Sequence, residues 1–388
     1  MIFLLATLAL ASAADPLRNA LQSPAGMAKL FNHFESEQGR VYDSNEAKLR
    51  FRLFRKNVQE VVETNEQDLG WTAGLNFFSD LTEDEKKQYL GFNSSMEHPV
   101  GAQLPPSDAP LAGPIDWRQK GGVTGVKNQG SCGSCWTFGA VGSIEGVHKK
   151  ETGSLVTFAE QELLDCVYEG KRDGCQGGWM QDCFTLMQKT QRLAPSSAVS
   201  YRGRDGSCNY GGKANGLKAK VTGQYAVPAS ESGHMSGLTR GPIAVAFEVT
   251  SACQQYRSGV LKDNSCRGQA NHAVTMVGFN SEKFMIKNSW GASWGSSGYV
   301  YMARNHDNCS LYKHSAIITL SGSGPDPKPT DAPKPDPTDG PNPTDGPNPT
   351  DGPDPECKDI AATRQCQIQK DWICKYQEKL CMKTCGKC

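Results

Sequence analysis

Gln129-Gly130-Ser131-Cys132-Gly133-Ser134-Cys135-Trp136 is the stretch on which the reading of this chain turns. Trp136, Phe138, Val141, Ile144 and Val147 follow at helical spacing, so a helix is predicted to start at about Cys135. The first turn of a helix is the positive end of its dipole, where an anionic sulfur is stabilised. An ordinary thiol is mostly protonated at neutral or acidic pH and is a poor nucleophile. An imidazole beside the sulfur takes its proton, giving a thiolate and an imidazolium that can later protonate a leaving amine. His272 stands 137 residues after Cys135, and Asn288, in Asn288-Ser289-Trp290-Gly291, stands 153 after it. An asparagine amide bonded to the far ring nitrogen fixes the ring, the third role in a catalytic triad.

Cys-Gly-Ser-Cys-Trp with a histidine and an asparagine about 130–150 residues downstream resembles the papain and cathepsin family of cysteine peptidases. The resemblance implies an α+β fold of two lobes, a helical left lobe and a β-barrel-like right lobe. A helical inhibitory prodomain is expected before it and a small disulfide-rich domain after it. It implies catalytic roles for Cys135, His272, Asn288 and Gln129. The Gln129 side chain and the Cys135 N–H would be the oxyanion donors, and Trp290 would shield the His272–Asn288 bond from water. It implies the bridges Cys132–Cys175, Cys166–Cys208 and Cys266–Cys309, leaving Cys135 free. Cys183 and Cys253 depart from the family pattern and form either a fourth bridge or two separate buried thiols. Gly174-Cys175-Gln176-Gly177-Gly178 matches the edge along which a peptide pairs as an added strand, with Gly177 and Gly178 letting its backbone approach. The S2 pocket would be lined by Trp179, Met180, Ala246, Asn271, Ala273 and His314, and would take a hydrophobic P2 side chain. His314 at the pocket floor is expected to narrow it and make P2 preference pH-dependent; a surface histidine is the alternative. No His-rich insertion interrupts Gly178 to Cys208, so an open cleft and endopeptidase action are expected.

Upstream, Phe31 to about Asn65 has helical periodicity, with Leu49, Leu53, Phe54, Val58, Val61 and Val62 at spacings of three and four. A second charged helix is predicted to end near Tyr89. Glu46, Arg50, Phe54, Asn57, Val61 and Asn65 fit the spaced motif of cathepsin L-type propeptides, and Gly74, Asn76, Phe78 and Asp80 fit the second propeptide motif. The resemblance implies a prodomain lying across the cleft as the enzyme's own inhibitor, released in acid as carboxylates such as Asp80 and Glu46 lose their ion pairs. The mature chain is expected to begin between about Gln103 and Ile115, after a Pro- and Ala-rich connection.

The expected division is a signal peptide over 1–14, a propeptide over 15–110, a peptidase domain over 111–320, a linker over 321–356 and a terminal domain over 357–388. Ile2 to Ala11 is apolar and small residues follow, as a secretory leader requires; the run is shorter than the roughly 20 residues of a membrane span. Secretion or lysosomal delivery follows, in a compartment where most of the 15 cysteines are paired. The linker has 12 prolines in 36 residues and repeats Pro-Asn-Pro-Thr-Asp-Gly, so an extended, polyproline-like spacer is expected. The last 32 residues hold six cysteines and, with seven Lys/Arg against three Asp/Glu, carry about +4. They resemble the ShK toxin-like domain, which implies Cys357–Cys388, Cys366–Cys381 and Cys374–Cys385. Its target is unknown. Sequons stand at Asn93 and Asn308.

Lys plus Arg (41) balances Asp plus Glu (41), so nothing calls for a nucleic-acid partner. No metal, cofactor or membrane span is expected, and the protein is expected to act as a monomer on protein and peptide substrates. The competing readings are a secreted binding or toxin-like protein acting through the tail, and an inhibitor built on the prosegment. The complete catalytic set favours a peptidase.

Overall fold

The computed structural model describes residues 14–94, 101–105, 113–171, 173–304 and 308–321. The chain divides into two compact units, Met1–Lys328 and Pro329–Cys388, and the described residues all belong to the first. The leader, the proline-rich spacer and the three tail bridges named above lie outside the described residues.

The first part is helical. The helices are α1 (Ala14–Leu21), α2 (Pro24–Gln38) and α3 (Ser44–Glu66). The periodic stretch from Phe31 is thus two helices, because Gly39 takes the left-handed conformation that closes α2 and Asp43 caps α3 through the N–H groups of Asn45 and Glu46. Phe31, Phe34, Phe54 and Val58 form its core, with the Phe34 and Phe54 rings 4.7 Å apart. Leu49, counted in the apolar stripe, faces solvent instead. Strand β1 (Trp71–Ala73) and helix α4 (Glu83–Lys87) follow, the latter held by a Thr82–Glu85 capping box. Residues 101–105 lie along the edge of the main sheet: Leu104 N–H donates to Ala226 C=O at 2.8 Å, and Ala226 N–H to Ala102 C=O at 2.9 Å.

The remaining elements are β2 (Ile115–Asp116), α5 (Cys135–Thr152), α6 (Glu160–Cys166), α7 (Met180–Thr190), β3 (Val221–Ala226), α8 (Glu231–Arg240), β4 (Ile243–Phe247), α9 (Ser251–Gln255), β5 (Tyr256–Gly259), β6 (His272–Phe279), β7 (Lys283–Lys287), β8 (Tyr299–Ala303) and β9 (His314–Leu320). The main sheet runs β3-β9-β4-β6-β7-β8, with β2 added on β6. It was expected to be barrel-like; no ladder joins β3 to β8 among the described residues, so the sheet is not a closed barrel. Separately, β1 pairs antiparallel with β5, so the helical part contributes one strand and the sheet-bearing part the other.

Helix α5 lies against β6 because glycine faces the sheet. A Cβ on Gly142 would fall 2.1 Å from Thr275 Oγ1, so any larger residue would push the helix away. That close approach brings the first residue of α5, Cys135, beside the first residue of β6, His272. The bridges Cys132–Cys175, Cys166–Cys208 and Cys266–Cys309 each close a loop of 42 or 43 residues. By chain entropy each stabilises the fold by about 4 kcal/mol. Cys135, Cys183 and Cys253 are separate buried thiols. No helix among the described residues is long and apolar enough to cross a membrane.

Candidate active site

Cys135 opens α5 and is fully buried. Its Sγ accepts from Ala273 N–H at 3.3 Å and also faces the N–H of Gly91. Burial pushes the thiol up to about 11, the N–H groups only partly offsetting the loss of water. His272 Nε2 is 2.8 Å from Asn288 Oδ1, which also accepts from Ser289 N–H at 2.7 Å. An oxygen already accepting one N–H is an acceptor, so Nε2 carries the hydrogen and Nδ1 holds the lone pair. Nδ1 has no hydrogen-bond partner among the described residues. Burial pushes the imidazole down to about 4, the Asn288 bond opposing it. In this state the sulfur and the ring are therefore both neutral near pH 7. The Trp290 ring stacks on His272 at 4.5 Å and 29° and is itself buried.

Gln129 is fixed on three sides. Its N–H donates to Ser289 C=O at 2.8 Å, its C=O accepts from Tyr201 OH at 2.8 Å, and its Oε1 accepts from Ser289 Oγ at 2.7 Å. Its Nε2 donates to Cys132 C=O at 2.9 Å and to Tyr89 C=O at 3.0 Å.

Tyr89 belongs to a segment of the helical part that threads the cleft. Gly91 C=O accepts from Gly178 N–H at 2.8 Å, and Phe92 N–H donates to Asn271 C=O at 3.0 Å. The Phe92 ring meets Trp179 edge-on at 4.5 Å and His314 at 5.3 Å, and Trp179 and His314 are 5.4 Å apart. Ala246 stands opposite Ala273 on one side and His314 on the other, so the three share a face of the sheet. Met180 opens α7 beside Trp179 and is buried. The Asn271 side chain turns to the Val249 backbone, leaving its carbonyl for Phe92. Gly177 lies under Gly91, 2.7 Å separating its ideal Cβ from the Gly91 oxygen. The threading segment itself was not foreseen. The signal was Leu90-Gly91-Phe92, an apolar tripeptide around a glycine closing a charged helix.

The helical part is tied on by other contacts. Asn76 Nδ2 donates to Gln254 C=O at 2.8 Å, Gln255 Nε2 donates to Asn57 Oδ1 at 2.9 Å, and Phe78 meets Trp290 edge-on at 4.9 Å. Internally, Arg50 is held by Glu46 at 2.9 Å and by Glu85. Arg50 and the Thr82 cap hold the Glu85 carboxyl down to about 2. Asp80 behaves oppositely. It is fully buried, and lost water outweighs Tyr42, Arg40 and Arg50 to push its carboxyl upward. Protonating Asp80 therefore favours the folded form, so the expectation that it drives release in acid is reversed; Glu85 has the required sign.

Residues 111–319 match the family described as "Papain family cysteine protease", and residues 31–85 match the "Cathepsin propeptide inhibitor domain (I29)". The chain is 34% identical over 333 residues to the KDEL-tailed cysteine endopeptidase CEP2 of Arabidopsis thaliana, covering 80% of this chain and 91% of that one. It is 36% identical over 303 residues to digestive cysteine proteinase 2 of Homarus americanus, covering 74% and 93%. The proform crystal structure of Amb a 11, a ragweed pollen cysteine protease, superposes with a TM-score of 0.70 at 29% identity, covering 78% of this chain and 97% of that one.

Proposed function

The chain belongs to the papain family of cysteine proteases and is a cysteine endopeptidase made as a propeptide-bearing zymogen, and from that premise we propose how its residues divide the work. With the cleft open, His272 Nδ1 takes the Cys135 proton. The thiolate attacks the scissile carbonyl carbon, and the oxyanion is held by Gln129 Nε2 and the Cys135 N–H. The imidazolium protonates the departing amine, and water, deprotonated by the same ring, hydrolyses the thioester. Asn288 keeps Nδ1 turned toward the sulfur, and Trp290 keeps water from that bond. Gly177 and Gly178 pair with the substrate backbone, while Trp179, Met180, Ala246, Asn271, Ala273 and His314 form S2.

One observation carries this reading: a peptide from the same chain lies in the cleft with a carbonyl on Gln129, a backbone pair at Gly178 and an aromatic ring against Trp179 and His314. Its direction explains why it survives. The residue in the pocket, Phe92, follows the residue at the sulfur, whereas a substrate's P2 residue precedes the scissile bond. The sulfur faces the Gly91 N–H.

The finer assignments belong to the same proposal. Residues 15–110 inhibit and 111–320 cleave; a leader over 1–14 sends the protein to a secretory or lysosomal compartment, where acid loosens the prodomain through Glu85. The mature enzyme works as a monomer, and the spacer at 321–356 carries a ShK-like module at 357–388 that holds a target of its own. The test is epoxide labelling of activated enzyme with peptide mapping. The adduct is expected on Cys135, with loss of peptide hydrolysis in step. Inactivation accompanied by an adduct on Cys183 or Cys253 would sink the assignment.

A further inference from the structure

We propose that the outer edge of β3 is a second peptide-binding site of the mature enzyme, outside the cleft, which takes an extended segment of a protein substrate through one leucine-sized side chain. The inference goes beyond the cleavage reaction and rests on the reading of the cleft as the place where substrate is cut.

In the main sheet β3 is a terminal strand. Strand β9 covers one side of it, and on the other side the described residues place the segment 101–105. The register is set by Ala226, whose partner across the edge is Gln103 in parallel orientation. Ala226 N–H donates to Ala102 C=O at 2.9 Å, and Ala226 C=O accepts from Leu104 N–H at 2.8 Å. Such an edge residue offers its donor and its acceptor to any extended chain laid beside it, whatever that chain's sequence. Arg240, the last residue of α8, adds a third bond, from Nη2 to Pro105 C=O at 3.0 Å.

Sequence enters at one position. Leu104 is 3% exposed and joins the main apolar cluster, whereas Ala102, Gln103 and Pro105 are exposed. Gly101 is not demanded by space, since an ideal Cβ there meets nothing closer than 3.7 Å. The site therefore reads a backbone and one aliphatic side chain, which is how strand addition recognises a peptide. Leu104 lies twelve residues beyond Phe92, so its slot is separate from the pocket that the Phe92 ring fills.

Maturation vacates this edge. Ala226 and Arg240 lie in the part proposed to cleave, and residues 101–105 in the part proposed to inhibit. Loss of the prosegment leaves an open strand edge beside an apolar slot, a pairing that draws another extended chain. The position of the edge favours a substrate as that chain. Ala226 pairs with Ala316 of β9, two residues after His314 of S2, so the edge stands one strand away from the pocket for the P2 side chain. The prosegment leaves that pocket by its C-terminal side, whereas a substrate leaves it by its N-terminal side and would lie antiparallel to β3. An N–H and a C=O turned outward from the same residue serve either direction. Two weak sites on one substrate then act together, because the second is engaged at the high effective concentration set by the first.

The experiment uses mature enzyme made by acid activation of the full-length zymogen, with its N-terminus fixed by mass spectrometry and active sites counted by epoxide titration. Three substrates share one cleavage site with a P2 phenylalanine. One is short, and the others are extended N-terminally, through a flexible spacer of about twelve residues, to Gly-Ala-Gln-Leu-Pro or to Gly-Ala-Gln-Asp-Pro. The leucine substrate should have a KM about ten-fold below that of the aspartate substrate, with kcat within about two-fold. Arg240→Ala should reduce that advantage to about two-fold, the loss of one charge-assisted hydrogen bond, and leave the short substrate unchanged. Free acetyl-Gly-Ala-Gln-Leu-Pro-amide should raise KM for the leucine substrate and not for the short one. Equal KM for the two extended substrates, with the short one cleaved, overturns the second site and leaves the reading of the cleft intact. Failure to cleave any of the three removes the reading of the cleft and this proposal with it. A mature chain that retains residues 101–105 overturns the proposal, because its edge is already filled. A dimer of mature enzyme that the free pentapeptide dissociates puts a second copy on the edge and overturns the substrate assignment.

Discussion

Replacing Gly91 with alanine should open the zymogen without touching the mature enzyme. An ideal Cβ at Gly91 falls 1.7 Å from the Gly133 carbonyl oxygen and 2.2 Å from its carbon. Both are main-chain atoms of the loop that carries Cys135, and that loop is pinned by the Cys132–Cys175 bridge. The inhibitory segment therefore has to move, and the contacts at stake can be counted. Gly91 C=O to Gly178 N–H and Phe92 N–H to Asn271 C=O are two hydrogen bonds, worth about 1 kcal/mol each. Partial withdrawal of the Phe92 ring from Trp179 and His314 costs about another 1–2 kcal/mol. The total, about 3–4 kcal/mol, corresponds to an inhibited state weakened about 10²–10³-fold. The assay is the second-order rate of epoxide labelling of Cys135 in intact zymogen at neutral pH. The variant should label faster by that factor, while its mature form, lacking residue 91, labels and hydrolyses like wild type. A folded Gly91→Ala zymogen that labels as slowly as wild type would refute the claim that this glycine is what lets the segment sit on the sulfur.

Other outcomes follow from the same geometry. The Glu85 carboxyl is held low in the folded prodomain, so its contribution is complete above the ordinary carboxylate pKa and fades as pH falls toward about 2. Partial exposure limits it to about 1–2 kcal/mol after screening. Glu85→Gln should accordingly move the activation midpoint to higher pH, whereas Asp80→Asn should not, since Asp80 is already disfavoured as an anion; an upward shift in Asp80→Asn would reverse that sign. His314→Ala should widen S2 and flatten the pH dependence of the preference between P2 phenylalanine and P2 glutamate, measured by kcat/KM at about pH 4.5 and 7. Equal profiles in wild type would remove His314 from specificity. Asn288→Ala should lower kcat by about 10–100-fold, the loss of a ring-orienting partner, and an unchanged kcat would mean that Trp290 alone holds the ring.

Cys135 and Gln129 stood out because they share one short glycine-rich motif, and Asn288 because it opens Asn288-Ser289-Trp290-Gly291; His272 stood out only by its distance of 137 residues from Cys135. Ala246, Ala273 and His314 could be grouped only by resemblance; the structure supplies the reason, a strand register that sets them side by side. Burial was not legible. Asp80 reads as an ion-pairing carboxylate in a linear motif, and only its complete enclosure reverses the effect of protonation. The break at Gly39 interrupts a periodic pattern that carries through on both sides, so the two helices read as one. Phe92 escaped notice because a plug is defined by the pocket it fills, and that pocket comes from residues 179 to 314. The Ser289–Gln129 hydrogen bond escaped for a related reason: its partners stand 160 residues apart in sequence.

Residues 101–105 add to the edge of β3, downstream of the segment that fills the cleft. A cut anywhere beyond residue 105 severs the tether and removes none of these contacts. What had been a fastening within one molecule becomes a complex between two, and the millimolar effective concentration typical of a short link gives way to whatever the solution holds. Appearance of the shortened chain should then run ahead of appearance of activity, and dilution should close the gap.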